Sequence, residues 1–380
     1  MKIIDVKTYL TGQAWPDREG VRNFLFVRIY TDEGITGIGE ASSLPAIEAE
    51  IRNKGALIIG EDPFQIQKLW SKMYLQSHFM TGIASGGAIS AIEMALWDIK
   101  GKALGQPIWN LLGGKMRDKV RAYTHANTPE QARAFVDQGY TGLKMGGIEQ
   151  AVQRVKDMRE EVGDDIDIMA DLHGPPWMTT SDAISVGKAI EDYGLLFYEE
   201  PVAPENIEAL SRIQNSVNIP LASGERLAYI YAARELIERE IVDIIQPDAG
   251  RFGGLSQMMK LAAMAEAHYI QMAPHDGSLG PVGEIASIHL CASIPNFLIW
   301  EHRTGDVPLR YEVMQPQPEV FDSHIIVPNL PGLGVDLIDE VMLANPGDFT
   351  PGGHATNNKH EYRFVYPQPR RANWLKGKIQ

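Results

Sequence analysis

What most constrains this chain is a repeat of form rather than of letters. Downstream of Lys119 a short β-rich apolar run, a polar or glycine-containing end and a segment of helical period recur eight times. The runs are VRAYTH from Val120, TGLKMG from Thr141, DIMADL from Asp167, LLFYEEP from Leu195, IPLASGE from Ile219, VDIIQPD from Val242, YIQMAPH from Tyr269 and FLIWEH from Phe297. Their start-to-start spacings lie between 21 and 28 residues, the length that a strand, a helix and two short connections occupy. The intervals carry helices expected at Pro129 to Gln138, Ile148 to Val162, Ser181 to Tyr193, Asn206 to Gln214, Ala232 to Arg239, Leu255 to His268 and Val282 to Leu290. In the second of these, Ile148, Val152, Val155, Met158 and Val162 make one apolar stripe among charged neighbours. Eight βα units predict an α/β fold of the closed (β/α)8 barrel type rather than an open doubly wound sheet. No GxGxxG follows a strand, so a dinucleotide-binding reading has no support.

The flanks read differently. Phe24 to Ile29 (FLFVRI) and Gly37 to Glu40 flank the turn Thr31-Asp32-Glu33-Gly34 as two strands, and Ile89, Ile92, Leu96 and Ile99 give a helical period between Gly86 and Lys102. Residues 1–119 are therefore expected to form an α+β module and 120–328 the barrel. Residues 329–380, rich in Pro, Gly and Asn, are expected to pack back on that module. A net charge of −14 repels nucleic-acid phosphates and anionic lipid, which excludes both as partners and leaves a small molecule as the expected ligand. No apolar run approaches the roughly 20 residues of a membrane span. The single cysteine, Cys291, can form no internal disulfide and the N-terminus lacks a signal pattern, so the expected location is cytoplasmic.

In a (β/α)8 barrel the reactive groups gather at the C-terminal ends of the strands. The polar residues closing the eight runs are His125, Lys144, Asp171 with His173, Glu199 with Glu200, Glu225, Asp248, His275 and Glu301. Asp171, Glu199 and Glu225 close three consecutive runs, 28 and 26 residues apart, within reach of one ion; hard oxygen donors suit Mg²⁺, or Mn²⁺, better than zinc. Each could instead cap a helix or pair with Lys144 or Arg226. Asp248 could orient His275 as a general base, and Lys144, on the other side of the mouth with its pKa lowered, could also remove a proton. Glu301, if protonated, could donate a hydrogen bond to a developing oxyanion. One dication flanked by bases points to removal of a proton next to a carboxylate, with the metal stabilising the enediolate. The His-x-His of zinc amidohydrolase barrels is absent near the first strand.

These residues resemble the enolase superfamily, mandelate racemase subgroup. The segments that carry the resemblance are AIEMALWDIKGKALGQPIWNLLGG from Ala91, ADLHG from Ala170, EEP from Glu199, GER from Gly224, IIQPDAGRFGG from Ile244, APHDGSLGP from Ala273, WEH from Trp300 and PGLGVD from Pro331, in the order the family shows them. The resemblance implies a capping domain built from both termini over a modified barrel, and one Mg²⁺ per subunit held by Asp171, Glu199 and Glu225. It further implies a His275–Asp248 dyad, Glu301 as electrophile on the eighth strand, and a homo-oligomer.

Within the subgroup, Asp-Leu-His at 171 to 173 stands where mandelate racemase has Asp-x-Asn and is similar to the sugar-acid dehydratases of the galactonate and mannonate type. That likeness gives His173 the role of general acid on a departing 3-hydroxyl, with a 2-keto-3-deoxy acid as product. Asp276 and Gly277 fill out a segment that is usually shorter, and Gly146 replaces the second lysine of racemases, which leaves Lys144 as either a second base or a partner of the substrate carboxylate. The alternatives on the same scaffold are a racemase or epimerase, and a cycloisomerase acting on an anhydro-sugar acid. Specificity is expected from the capping domain, either from a lid over Gly12 to Asn23 with Trp15, Arg18 and Arg22, or from a wall of His78, Phe79 and Met80.

Overall fold

The computed structural model of the protein describes residues 1–17, 19–76, 82–174 and 177–349. Arg18, His78, Phe79 and Met80, and the C-terminal residues past 349, lie outside the described set. Three antiparallel strands, β1 (Ile3–Ala14), β2 (Val21–Thr31) and β3 (Thr36–Ala41), open the chain, with β2 in the middle. Four helices follow: α1 (Pro45–Ile58), α2 (Ile66–Leu75), α3 (Gly82–Leu104) and the short α4 (Ile108–Leu111). The amphipathic pattern expected from Gly86 is the middle of a longer helix, and α3 is buried on nearly every face because the sheet covers one side and the barrel the other. Gly37 and Gly39 let it approach closely: a Cβ at either would strike the backbone carbonyl of Ala95 or Ala91.

Eight parallel strands then alternate with helices: β4 (Lys119–His125), β5 (Gly142–Gly146), β6 (Asp167–Asp171), β7 (Phe197–Glu199), β8 (Leu221–Ser223), β9 (Ile244–Ile245), β10 (Gln271–Met272) and β11 (Trp300–Glu301). Seven of the eight runs expected from sequence contain their strand, and β4 begins one residue before its run. The ladder runs from β4 to β10 in chain order, and β11 pairs with the other edge of β4 at Ala122 and Tyr123, the start of that edge being paired antiparallel with His324 to Ile326. Between β10 and β11 the ring is joined by a parallel bridge of Met272 to Phe297, with Met272 N–H donating to Asn296 O at 2.8 Å and Leu298 N–H to Met272 O at 2.9 Å. Inside, Tyr123, Met169, Phe197, Ala222, Ile244, Ala273 and Ile299 pack against one another. Outward-facing residues such as Leu143, Ile168, Tyr198 and Ile245 meet the stripes of the surrounding helices.

Those helices are α5 (Pro129–Asp137), α6 (Ala151–Val162), α7 (Thr180–Ile190), α8 (Ile207–Gln214), α9 (Tyr229–Glu238), α10 (Leu255–Ala267) and α11 (Pro281–Ser293). Local side chains cap α5, α7 and α8, where Thr128, Thr179 and Asn206 accept from the amides of Gln131, Asp182 and Ala209. By contrast α10 and α11 begin after Gly254 and Gly280 and have no capping side chain of their own. Glu93 of α3 accepts from Leu255 N (2.8 Å) and Ser256 N (3.0 Å), and Glu40 of β3 from Gly280 N (2.8 Å), Val282 N (3.0 Å) and Gly283 N (2.9 Å). Among the described residues no helix is long and apolar enough to cross a membrane.

The segment from Asn329 to Phe349 returns to the first strands and helices. Leu333 N–H donates to Asp98 of α3 (2.9 Å), Gly347 N–H to Leu10 O of β1 (2.9 Å), and Arg28 of β2 pairs with Asp339 (2.8 Å). The same segment touches the barrel through His289 of α11, whose Nε2 donates to Leu333 O (3.0 Å) while Nδ1 accepts from Trp109 N–H (3.3 Å). Both ring nitrogens are thus committed in the neutral tautomer, and burial pushes the imidazole down to about 4. An unfolded histidine titrates near 6.5, so the unfolded chain binds a proton between about pH 6.5 and pH 4 that the folded chain refuses. Stability therefore falls as pH drops through that window, by up to about 3 kcal/mol from this group. Urea melts of the wild type and His289→Gln at pH 7 and pH 4.5 check it: the variant should lose less stability on acidification, and parallel losses would refute the assignment.

Candidate active site

The strand ends converge. Asp171 and Glu199 are direct neighbours in the β6–β7 register, and Asp248 and His275 form a parallel bridge just past β9 and β10. In the middle sits Lys144 of β5, buried, with its Nζ 3.1 Å from Glu199, 3.0 Å from Glu301 and 3.4 Å from Asp171, and 5.4 Å from the centre of the Tyr123 ring. His275 Nδ1 is 2.7 Å from Asp248 Oδ2, and its Nε2 lies 2.9 Å from Glu225 and 3.6 Å from Glu301. His173 Nδ1 is hydrogen-bonded to Asp171 Oδ1. Glu301 also holds His125 Nε2 at 2.6 Å and accepts from Asp276 N–H at 2.8 Å. In an eight-strand ring β6 and β10 are diametrically placed, so His173 and His275 stand on opposite sides of the carboxylates.

The electrostatics follow from this packing. Burial works against charge on Lys144, but Glu199, Glu301 and Asp171 outweigh it and hold the ammonium well above its ordinary value. That corrects the expectation of a lowered lysine pKa: three carboxylates surround the ammonium, and it is a counter-ion here rather than a free base. Glu301 differs too. Although burial opposes its charge, Lys144, His275 and His125 keep it well below the usual carboxylate range, so it is an ionised acceptor and not a protonated donor. Burial, then Asp171, push Glu199 up to about 8 against the pull of Lys144. Burial lowers His173, yet the bond to Asp171 carries it up to about 9; His275 is likewise raised, by Glu225, Glu301 and the Asp248 hydrogen bond.

For a cation, Asp171, His173 and Glu199 bring one ligand atom each to within 4.8 Å of one another. Glu225, the third carboxylate expected there, has its oxygen on His275, while its charge acts on both Asp171 and Glu199. The donor set at these strand ends, three carboxylates facing Lys144 and two imidazoles, with Arg226 3.7 Å from Glu225, fits a hard divalent ion. Glu200 turns away at a φ of 35° to meet Arg226 (3.1 Å) and Ser223 (3.0 Å).

Two further side chains of the mouth, Gln246 and Trp177, are not among the residues expected from sequence. Gln246 follows β9 into the barrel, buried, with neither amide atom hydrogen-bonded to protein. Arg226 lies 4.6 Å over the Trp177 ring, and the His173 ring is 6.2 Å from the same indole. The signal for Gln246 was its place two residues before Asp248 on an inward-facing register; nothing local marks Trp177. The expected lid shrinks to the tip of the β1–β2 hairpin, since Gly12 and Arg22 are already in strands. Arg22 is buried, on Asp306 (3.2 Å) and the carbonyls of Ser278 (3.3 Å) and Leu279 (2.7 Å), because β2 runs directly over the loop after β10.

Replacing Lys144 by Met strands Glu199 and Glu301 in a dry interior. Breaking a buried ion pair in this way costs about 3–5 kcal/mol. The urea midpoint in EDTA should fall accordingly at pH 8, and an unchanged midpoint would show that the carboxylates do not depend on this cation.

Residues 18–113 match the model of the mandelate racemase/muconate lactonizing enzyme N-terminal domain, and residues 127–341 that of the enolase C-terminal domain-like family. A D-galactonate dehydratase of Verminephrobacter eiseniae is 34% identical over 92% of this chain and 95% of its own, and one of Ralstonia pickettii 33% identical over 90% and 94%. Among solved structures, a mandelate racemase/muconate lactonizing enzyme-like protein from Roseovarius sp. superposes with a TM-score of 0.85 at 35% identity, covering 92% of this chain and 96% of that one. The 3,6-anhydro-D-galactonate cycloisomerase of Zobellia galactanivorans gives 0.85 at 29% identity, covering 92% and 100%. By fold, by site and by both family models, the chain belongs to the mandelate racemase/muconate lactonizing enzyme family of the enolase superfamily.

Proposed function

We propose that the protein is a Mg²⁺-dependent dehydratase of sugar acids, with D-galactonate as the first substrate to test. The observation that carries this reading is the pair of imidazoles on opposed strands: His275 backed by Asp248 on one side, and His173, held protonated by Asp171, on the other. An elimination needs a group that takes a proton and one that gives a proton, and a single-base exchange needs only the first. His275 removes the proton at C2, His173 delivers one to the 3-hydroxyl as the C3–O bond breaks, and water leaves. The enol that remains tautomerises to the 2-keto-3-deoxy acid. Glu301 and His125, bonded to each other, lie beside His275 on the base's side of the mouth. When held by Asp171, Glu199 and Glu225, Mg²⁺ would supply positive charge beside the developing enediolate and engage the carboxylate charge that here keeps His275 protonated.

The names of the dehydratase relatives support dehydration. The cycloisomerase among the structural neighbours favours one second reading, opening of an internal ether in an anhydro-sugar acid, which uses the same base and leaves the mass unchanged. Two-base racemisation has less support, because Lys144 is committed to three carboxylates.

Purified protein with Mg²⁺ should be screened against aldonic, aldaric and uronic acids and 3,6-anhydro-D-galactonate, with semicarbazide detection and mass spectrometry in D₂O. Loss of one water with a semicarbazide-positive product is the expected result. A semicarbazide-positive keto acid without loss of water would establish the ether-opening reading instead, and C2 deuteration without water loss or a keto product an epimerase. EDTA should abolish turnover and Mg²⁺ restore it. His173→Asn should lower dehydration by about 10²–10⁴-fold, the usual worth of a general acid, while C2 exchange persists; undiminished dehydration would remove His173 from the mechanism.

A further inference from the structure

Arg251 stands in the turn between β9 and α10, three residues beyond Asp248, and its guanidinium reaches four separate stretches of chain. Nε donates to Ser42 Oγ at 3.0 Å, Nη1 to the backbone carbonyl of Glu225 at 3.0 Å, and Nη2 to Ser278 Oγ. The carboxylate of Asp248 lies 3.6 Å from Nε. Ser42 and Ser278 also bond each other, Oγ to Oγ at 2.9 Å. Ser42 belongs to the loop that leaves β3, so it comes from the antiparallel sheet, while the other three contacts lie on consecutive strand ends of the barrel. A planar fork with donors on all three nitrogens can hold such a set at once; a lysine, with one nitrogen at the end of a flexible stem, can hold part of it.

The loop that Arg251 grips through Ser278 is in direct contact with the reacting groups. Asp276 N–H donates to Glu301 at 2.8 Å. Gly277 lies flat against the imidazole of His275, where a Cβ would come 2.8 Å from Nε2. Its carbonyl accepts from Arg303 at 2.7 Å, and the loop's far end is tied to Glu40 through Gly280 N–H. Any movement of residues 276–280 therefore moves the surroundings of His275 and the hydrogen bond that orients Glu301.

We propose that Arg251 is a positioning residue that sets His275 and Glu301 for proton abstraction, and that Ser42 makes this setting depend on the docked antiparallel sheet. Neither side chain need touch substrate. The inference rests on the reading of His275 as the base, and its first measurement does not require turnover.

Hydrogen exchange on the full-length protein tests the loop directly. In Arg251→Gln the amides of residues 276–280 should exchange at least about tenfold faster, and in Ser42→Ala by a smaller factor in the same peptide, while the β5–β7 amides keep their rates. Unchanged protection of 276–280 in both variants overturns the proposal whether or not any sugar acid is turned over. Where the screen yields a substrate, Arg251→Gln should lower kcat by about 10²-fold, the cost of an ångström-scale misplacement, with KM within about threefold. The primary isotope effect with C2-deuterated substrate should rise, and Arg251→Lys should recover only part of kcat. A variant with reduced active fraction but wild-type kcat per active site, and an unchanged isotope effect, would make Arg251 a fold-stabilising residue alone and overturn its positioning role. A silent screen with loosened 276–280 amides would count against the proposed function while supporting the coupling.

Discussion

The arrangement depends on carboxylates that the first hundred residues seat on the ends of barrel helices. A helix leaves four N–H groups without partners at its start and a partial positive charge beside them. Three of the barrel helices meet this need locally, through Thr128, Thr179 and Asn206. The two that follow the Asp248 and His275 strands do not, and Glu93 and Glu40 fill the role from 162 and 240 residues away in sequence. Burying either carboxylate is costly, and each amide it satisfies would otherwise carry a penalty of about 1–3 kcal/mol. Helix α3 and the sheet therefore stabilise the barrel, and are stabilised by it, at the two βα units that carry the histidine dyad.

A second constraint acts inside the mouth, where Asp171, Glu199, Glu225, Asp248 and Glu301 crowd into a dry space. Like charges this close cannot all ionise without compensation. The chain supplies compensation from its own cations, with Lys144 shared among three carboxylates and the two imidazoles each bridging a pair or clamping one. This accounts for the unusual spread of proton affinities over a few ångströms, with Glu301 and Glu225 held down, Glu199 lifted to about 8, and His173 to about 9. It also accounts for Lys144. A lysine in the same place with fewer acids around it would release its proton readily, and one hemmed in by three does not.

What the sequence made legible was what short-range physics decides. The barrel strands announced themselves because Leu143, Ile168, Tyr198 and Ile245 need the helices outside while Met169, Phe197 and Ile244 need each other inside, which makes short continuous apolar runs. Residues that end such runs lie at the mouth, so seven of the eight proposed site residues fell where the strands end or just beyond, and Lys144 fell two residues short of the end of β5. β1 was missed because IIDVKTYLTGQA mixes charge and apolar residues along a strand whose faces are only partly covered. Arg22 was read as part of a lid because its partners, Asp306 and the carbonyls of Ser278 and Leu279, are more than 250 residues away. Arg251 and Ser42 were invisible for the same reason. An arginine in a turn and a serine after a strand carry no local signal, and their meaning arises only once four loops meet.

That distance in sequence has a consequence for how the site works. The histidine dyad needs only β9 and β10 to exist, but the loop that shapes its surroundings is held by Arg22 and Glu40 of the sheet as well as by Arg310, just past β11, which binds Leu279 O at 2.8 Å and Glu284 at 2.7 Å. A barrel whose sheet was displaced would keep its carboxylates and its bases while losing the contacts that aim them. The strong internal cohesion of the strand ends and the long-range hold on the 276–280 loop are thus two separate requirements, and the chain meets the second in part with Arg22, Glu40 and Ser42, residues that lie far from the barrel in sequence.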